Sequence, residues 1–134
     1  MKIQDVMNRK VISINENTSP IEAFEKMYKN GIRRLFVINN NGDYKGTISY
    51  TNLIGILNNF NNENSKNNKN TIKNIMSNTI ITIDAKEEIK NAANLMLRAD
   101  ISGLLVVDGK KPVGVITKTD ICRLVAANLL IPNQ

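Results

Sequence analysis

Residues 114–120 read GVITKTD, and residues 46–52 read GTISYTN. Both stretches run from a glycine through strand-forming residues and a hydroxyl residue to Asp or Asn. The match continues outward: a shift of 69 positions aligns apolar residues such as Met27 with Met96, and a shift of 68 aligns Gly46 with Gly114. Self-similarity at a fixed period is the signature of a repeated structural unit. The chain is therefore predicted to contain two copies of one unit.

The copies are separated by a polar segment. Residues 58–71 contain a single aromatic residue, Phe60, and have no apolar periodicity. Such a composition cannot bury a face against a core and is typical of a linker. The predicted organisation is a first repeat over residues 1–60, an Asn-rich linker over 61–71 and a second repeat over 72–134.

Each copy is predicted to run strand, helix, strand, turn, strand, helix. Short β-branched segments at Val11–Ile14 and Ile80–Ile83 indicate the first strands. Apolar runs at Leu35–Ile38 and Leu104–Val107 are followed by Gly-containing turns and a returning strand, which indicates a hairpin. One small sheet with two helices cannot bury its own faces, so the copies are expected to pack as a pseudo-symmetric pair.

Helix boundaries follow from capping residues. In the first copy Ser19 as N-cap, Pro20 at the first helical position and Glu22 form a capping box that starts the helix, and Asn30-Gly31 closes it. In the second copy Glu88 aligns with Ser19, so the cap is lost and the helix is expected to begin near Asp84. The second helices are expected at Leu53–Leu57 and Ile121–Leu129.

Composition restricts the function. The chain has no histidine and one cysteine, Cys122, which excludes His-based catalysis, an internal disulfide and a Cys-rich zinc site. No metal site and no required cofactor are predicted. No apolar run is long enough to span a bilayer and no signal peptide follows Met1, so a cytoplasmic protein is expected.

The net charge of +6 is divided evenly between the halves and lacks interleaved aromatic residues. Nucleic-acid binding is therefore not favoured over a phosphate-bearing small ligand. No cluster combines a nucleophile, a base and an oxyanion donor, so an enzyme is not expected.

The repeated order of elements and the GTISYTN and GVITKTD junctions resemble a tandem pair of cystathionine-β-synthase (CBS) domains, also called a Bateman module. The resemblance implies an α/β (α+β) fold of two β-α-β-β-α repeats related by a pseudo-twofold axis. It also implies two clefts that bind adenosine-containing ligands such as AMP, ADP, ATP or S-adenosylmethionine. The implied function is a regulatory ligand sensor, and the alternative is a constitutive interaction module with empty clefts.

The second copy carries the stronger candidate site. A carboxylate can accept hydrogen bonds from both hydroxyls of a ribose, and Asp120 suits that role. The resemblance implies that Thr117 and Thr119 contact ribose or phosphate oxygens, with Lys118 adding positive charge. A structural alternative is open, because Thr117-x-x-Asp120 is also a helix capping box. In the first copy Ser49 and Asn52 occupy the corresponding positions, and a neutral amide accepts less strongly than a carboxylate.

The resemblance also implies cleft walls formed next to the first strand and just before the second. The site containing Asp120 is expected to take its wall from the opposite copy. One of Arg33 and Arg34 is expected on a ligand phosphate, the alternative being a solvated pair. The wall residues are Val11, Ile12, Ile32 and Arg33 in the first copy and Ile80, Ile81, Ile101 and Ser102 in the second.

Assembly is suggested by the apolar residues Leu129, Leu130 and Ile131, which follow the last predicted helix. The resemblance implies a flat twofold dimer in which helices meet, which would cover them. A homodimer of about 30 kDa is therefore predicted. The alternative is that these residues fold back onto their own module.

Overall fold

The computed structural model describes residues 1–57 and 71–129. The chain divides into two compact units. We call Ile12–Ile80 the first-copy unit, and Met1–Val11 together with Ile81–Gln134 the second-copy unit. Apart from Thr71, the predicted linker lies outside the described residues.

The first-copy unit contains one three-stranded sheet and two helices. Strand β1 runs parallel to β2, and β2 runs antiparallel to β3, so the sheet order is β1-β2-β3. The elements are β1 (Ser13–Asn15), α1 (Pro20–Asn30), β2 (Arg34–Ile38), β3 (Tyr44–Ser49) and α2 (Tyr50–Leu57).

The second-copy unit repeats this arrangement, with sheet order β4-β5-β6 and the same strand directions. Each copy therefore has the mixed α+β architecture of a β-α-β-β-α repeat, and the predicted fold class is confirmed. The elements are β4 (Thr82–Asp84), α3 (Ile89–Ala99), β5 (Gly103–Asp108), β6 (Lys111–Thr117) and α4 (Lys118–Ala126).

Each unit packs its helices on one face of its sheet around an aliphatic core. In the first-copy unit Leu35 and Val37 of β2 share the core with Ala23 and Met27 of α1. In the second-copy unit Leu104 and Val106 of β5 share it with Ala92 and Met96. Because strand side chains alternate between faces, every second residue of these strands lies on the face away from the core helices.

The opening segment of each sequence repeat belongs to the other copy's unit. Ile3 is 0% exposed and donates a backbone hydrogen bond of 2.9 Å to the Glu87 carbonyl. Ile72 is likewise 0% exposed, and its N–H donates to the Thr18 carbonyl over 2.9 Å. The repeat boundaries 1–60 and 72–134 stay a prediction, while the compact units begin later in each copy, at Ile12 and Ile81.

Gly46 and Gly114 permit these opening segments to reach the sheet edges. Asn8 exchanges backbone hydrogen bonds of 2.8 and 2.9 Å with Val115, next to Gly114. A Cβ atom at Gly114 would lie 2.6 Å from the Met7 sulfur, and one at Gly46 would collide with the Ser77 carbonyl oxygen. The repeated glycine is therefore required by close backbone approach.

The predicted start and end of the first-copy helix are confirmed, whereas within the described residues only the Ser19 half of the predicted capping box forms. The Ser19 hydroxyl accepts a hydrogen bond of 3.3 Å from the Glu22 N–H, Pro20 opens α1, and Gly31 ends it with φ of 62°. This positive φ is favourable for glycine.

The predicted start of the second-copy helix near Asp84 is wrong, because α3 begins at Ile89. The Asp84 side chain instead accepts from the Lys86 N–H, which forms a turn. The backbone that follows is extended and pairs with the N-terminal segment: Glu88 bridges Lys2, and the Ile89 N–H donates to the Met1 carbonyl. A tertiary contact thus replaces the missing side-chain cap.

Other boundaries also differ from expectation. The first strands begin at Ser13 and Thr82, two residues later than predicted, and α2 and α4 begin at Tyr50 and Lys118, directly after the last strand of each copy. Helix α4 ends at Ala126 rather than at Leu129. In the part of the chain described, no helix is long and apolar enough to cross a membrane.

Candidate ligand-binding site

The candidate residues of the second-copy unit gather at one end of its sheet. Thr117 ends β6 and pairs in register with Gly103, the first residue of β5. Ile101 and Ser102 lie directly before β5, and Ile81 lies directly before the parallel strand β4, where its carbonyl accepts from the Leu105 N–H over 3.1 Å. The topology therefore brings three separate parts of the chain to the same sheet end.

Thr117 and Asp120 form the capping box of α4. The Asp120 N–H donates to the Thr117 hydroxyl over 3.1 Å, and the Thr117 N–H donates to Oδ2 of Asp120 over 2.9 Å. Both side chains are half-buried. Within residues 1–57 and 71–129, Oδ1 of Asp120 has no hydrogen-bond partner. One carboxylate oxygen therefore supports the helix while the other keeps its capacity to accept.

The other two candidates on α4 differ in exposure. Lys118 is half-buried, and its backbone N–H donates to the Ser102 carbonyl over 2.9 Å, which joins the start of α4 to the segment before β5. Thr119 is exposed to solvent. The ligand roles of both residues stay predictions.

In the first-copy unit Ser49 and Asn52 occupy the equivalent sheet end. Oδ1 of Asn52 accepts from the Ser49 N–H over 3.0 Å and from the Ser49 hydroxyl over 2.9 Å. The Asn52 Nδ2 group donates to the Ile75 carbonyl over 3.1 Å. Both ends of this amide are therefore engaged within the unit, which leaves it less free than Asp120 to hold a ligand.

Two arginines lie at this same sheet end: Arg33 directly precedes β2, and Arg34 is its first residue. Arg33 is exposed, whereas Arg34 is half-buried and pairs in register with Ser49. Burial lowers the pKa of the Arg34 guanidinium below its ordinary value. No sequence pattern distinguishes the two arginines, but the strand register does, because Arg34 pairs with Ser49 and shares its sheet face.

The remaining wall candidates divide between the units. Val11, Ile81, Ile101 and Ser102 belong to the same unit as Asp120, whereas Ile12, Ile32, Arg33 and Ile80 belong to the first-copy unit. The expectation that the Asp120 site takes its wall from the opposite copy stays a prediction.

A family model described as CBS domain matches residues 3–59 and 72–127, which is most of the chain. The chain is also similar to two longer archaeal proteins. It is 31% identical to the uncharacterised protein MJ1404 of Methanocaldococcus jannaschii, over 93% of this chain and 32% of that protein. It is 34% identical to a homoserine O-acetyltransferase of Methanococcoides burtonii, over 92% of this chain and 24% of that protein. The chain thus spans a third or less of these relatives.

Among solved structures, the fold is similar to the CBS domain pair of protein MJ0100, which was crystallised with 5′-methylthioadenosine and S-adenosyl-L-methionine. The TM-score is 0.81 and the sequence identity is 29%, with coverage of 96% of this chain and 98% of that one. The similarity extends over both copies of the repeat.

Proposed function

The chain belongs to the CBS domain family, and we propose that it is a non-catalytic regulatory module that binds an adenosine-containing ligand. The ligand class comprises AMP, ADP, ATP and S-adenosylmethionine. The similar CBS pair of protein MJ0100, bound to two adenosine derivatives, supports the adenosine part of this proposal.

The observation that carries the proposal is Oδ1 of Asp120, which accepts no hydrogen bond from residues 1–57 and 71–129. Its Oδ2 is fixed by the Thr117 N–H, so the carboxylate is oriented before any ligand arrives. A ribose has two neighbouring hydroxyl donors, and an ionised carboxylate accepts them in charge-assisted hydrogen bonds. Preorganisation lowers the conformational entropy lost on binding. Asp120 is therefore our proposed ribose-binding residue.

Neighbouring residues supply the other groups that a nucleotide requires. The Thr117 hydroxyl accepts from the Asp120 N–H, and its own proton remains available for a ribose or phosphate oxygen. Lys118 adds a positive charge at the first residue of α4. Ile81 and Ile101 add half-buried aliphatic surface at the same sheet end.

Ligand binding regulates a partner only through different affinities for two states of the protein or its assembly. We propose that such an assembly includes a homodimer in which apolar helix faces meet. Leu97 and Val125 are 71% and 41% exposed, and Leu129 after α4 is 57% exposed. A symmetric dimer would remove this apolar surface from water.

Thermal unfolding with and without ligand tests the proposal. A ligand at about 100 times its Kd that binds only the native state adds about 2.7 kcal/mol of stability. For a chain of this size that is a rise of several degrees in Tm. AMP, ADP, ATP, S-adenosylmethionine and 5′-methylthioadenosine would each be added at millimolar concentration. If none of them moves the melting curve, the alternative of a constitutive interaction module replaces the ligand sensor.

A further inference from the structure

Five side chains form one apolar patch across α1 and α2 of the first-copy unit. Ile21, Phe24 and Tyr28 recur at helical spacing on α1, and Tyr50 and Ile54 lie one turn apart on α2. Phe24 joins the two helices, because its ring lies 6.3 Å from that of Tyr28, nearly parallel to it, and 5.6 Å from that of Tyr50, edge to face. We call these five residues the aromatic patch.

Most of the aromatic patch is open to solvent. Ile21, Phe24, Tyr28 and Ile54 are 65%, 48%, 74% and 62% exposed, and Tyr50 is half-buried. Since a large side chain carries about 200 Å² of surface, the patch exposes about 500 Å² per chain. A patch of this size lies near the upper limit for monomeric proteins and is often an interaction surface. Two copies of the patch in contact would bury about 1,000 Å², which reaches the area that a specific interface needs.

The second-copy unit does not repeat the aromatic patch. In the alignment of the two copies, Lys90 and Lys118 occupy the positions of Ile21 and Tyr50, and Ala93 and Cys122 occupy those of Phe24 and Ile54. Leu97, at the position of Tyr28, is the one large aliphatic residue among these five. Lys90 is exposed, and its Nζ lies 3.5 Å from a carboxylate oxygen of Glu88. The corresponding face of α3 and α4 therefore has fewer large apolar side chains and carries positive charge.

A twofold dimer in which helices meet can join the copies in two ways. In a parallel dimer each first-copy unit contacts the first-copy unit of the other chain, and in an antiparallel dimer it contacts the second-copy unit. The antiparallel arrangement would remove Lys90 and Lys118 from water against the aromatic patch, in which none of the five residues is acidic. Burying an ammonium group without a partner is unfavourable. The parallel arrangement instead places aromatic and aliphatic side chains against their own counterparts.

We propose that the aromatic patch of the first-copy unit contacts the same patch of a second copy of this chain, which makes the homodimer parallel. The inference rests on the proposed homodimer and adds which copies meet. The second-copy faces then meet each other, and each Lys90 keeps Glu88 as its partner.

Charged variants of the aromatic patch distinguish the two arrangements. The acidic variant carries Ile21→Glu and Ile54→Glu, and the basic variant carries Ile21→Lys and Ile54→Lys. Both residues are exposed, so the changes leave the core intact, and urea unfolding checks this. In a parallel dimer like charges meet, so each variant alone should fall to the 15.0 kDa of one chain in light scattering. An equimolar mixture of the two variants should recover the mass of a dimer, because opposite charges then meet.

A matched control places charge outside the patch. Lys45 is exposed on β3 of the same unit, and Lys45→Glu should leave the dimer intact. The antiparallel arrangement predicts different masses: the acidic variant alone would stay dimeric, since it would face Lys90 and Lys118, while the basic variant alone would dissociate. That result overturns the inference.

The remaining outcomes also decide against it. Dimers in both variants would show that the patch lies outside the interface, and a mixture that stays monomeric would show that the two patches do not meet. In both cases the proposed homodimer stands and this inference fails. A monomeric unchanged chain would leave the patch to a different partner and would overturn the proposed homodimer together with this inference. The proposed ligand binding is tested separately by the melting curves.

Discussion

The side-chain amide of Asn52 donates a hydrogen bond of 3.1 Å to the backbone carbonyl of Ile75. This bond ties the start of α2 to the segment Ile72–Ile75, whose Ile72 completes the core of the first-copy unit. A carboxylate, as at the equivalent residue Asp120, carries no N–H donor and cannot make the bond. Among the described residues, the side chain at this motif position is therefore engaged at both ends in the first copy and keeps one unpaired acceptor oxygen in the second.

The Asn52–Ile75 bond predicts an asymmetric response to exchanging the two side chains. Asn52→Asp replaces the donor with a carboxylate oxygen facing a carbonyl oxygen. The free energy of unfolding should fall by about 1–3 kcal/mol. The reciprocal change Asp120→Asn keeps an acceptor for the Thr117 N–H and should cost less. Urea unfolding of both variants measures the difference, and equal losses would show that the Ile75 bond contributes little.

For ligand affinity, the substitution at Asp120 should have the larger effect and the one at Asn52 the smaller, which is the reverse of the order expected for stability. Asp120→Ala removes the proposed ribose acceptor and should abolish most adenosine binding, while Asn52→Ala should change it little. Calorimetry with adenosine measures both, and unfolding curves separate loss of affinity from loss of fold. If Asp120 only caps α4, Asp120→Ala would lower stability by about 0.5–2 kcal/mol and leave the affinity unchanged.

Much of the fold is accessible from the sequence because its signals are local. The β2–β3 and β5–β6 hairpins follow from apolar runs separated by glycine-containing turns, and α1 follows from Ser19, Pro20 and Gly31. The start of α3 could not be predicted from such local signals. It depends on backbone bonds from Met1–Gln4 to residues 85–89, more than eighty positions along the chain. Periodicity within a window cannot detect such a partner.

The sequence predicted which residues lie at the candidate site better than it predicted the hydrogen bonds that these residues make. The motif predicts that Thr117 and Asp120 lie together, since a capping box requires it. The Asn52–Ile75 hydrogen bond forms because the opening segment of the second repeat belongs to the first-copy unit. No local sequence pattern indicates this exchange of segments. Arg34 was separable from Arg33 only once the register with Ser49 was known.

The repeated glycine predicts a sharp difference between two alanine substitutions. Gly114→Ala would place Cβ 2.6 Å from the Met7 sulfur and 2.8 Å from the Asn8 carbonyl oxygen. The resulting strain should cost about 1–3 kcal/mol. Gly55 lies within α2 with nothing within 4 Å of its Cβ position. Gly55→Ala should therefore gain about 0.5–1 kcal/mol from helix propensity. Thermal unfolding of the pair measures both signs, and a neutral Gly114→Ala would contradict the close approach.

Because the opening segment of each sequence repeat belongs to the other copy's unit, the structure predicts which unit each core substitution weakens. Ile3→Ala leaves a cavity in the second-copy unit, although Ile3 belongs to the first sequence repeat. The loss should be about 2–5 kcal/mol. Ile72→Ala should weaken the first-copy unit by a similar amount. Amide hydrogen exchange distinguishes the units: Ile3→Ala should reduce protection first in β5 and β6. Reduced protection confined to β2 and β3 would contradict the assignment.

Exposed apolar residues on the helices predict that the chain assembles into a dimer. The α1 residues Ile21 and Tyr28 are 65% and 74% exposed, and Leu97 of α3, which aligns with Tyr28, is 71% exposed. Both copies thus present apolar helix surface. A symmetric homodimer would give a mass of about 30 kDa in light scattering at tens of micromolar.

Tyr28→Asp combined with Leu97→Asp should shift that mass to one chain, because the change places charge in the proposed interface. Lys110→Glu in the β5–β6 turn is the matched surface control and should leave the dimer intact. In the alternative, the C-terminal apolar residues fold back onto their own module. Leu129 is 57% exposed and therefore is not covered in this way, while Leu130 and Ile131 lie outside the described residues. A mass near 15.0 kDa for the unchanged chain, with and without ligand, would reject the dimer.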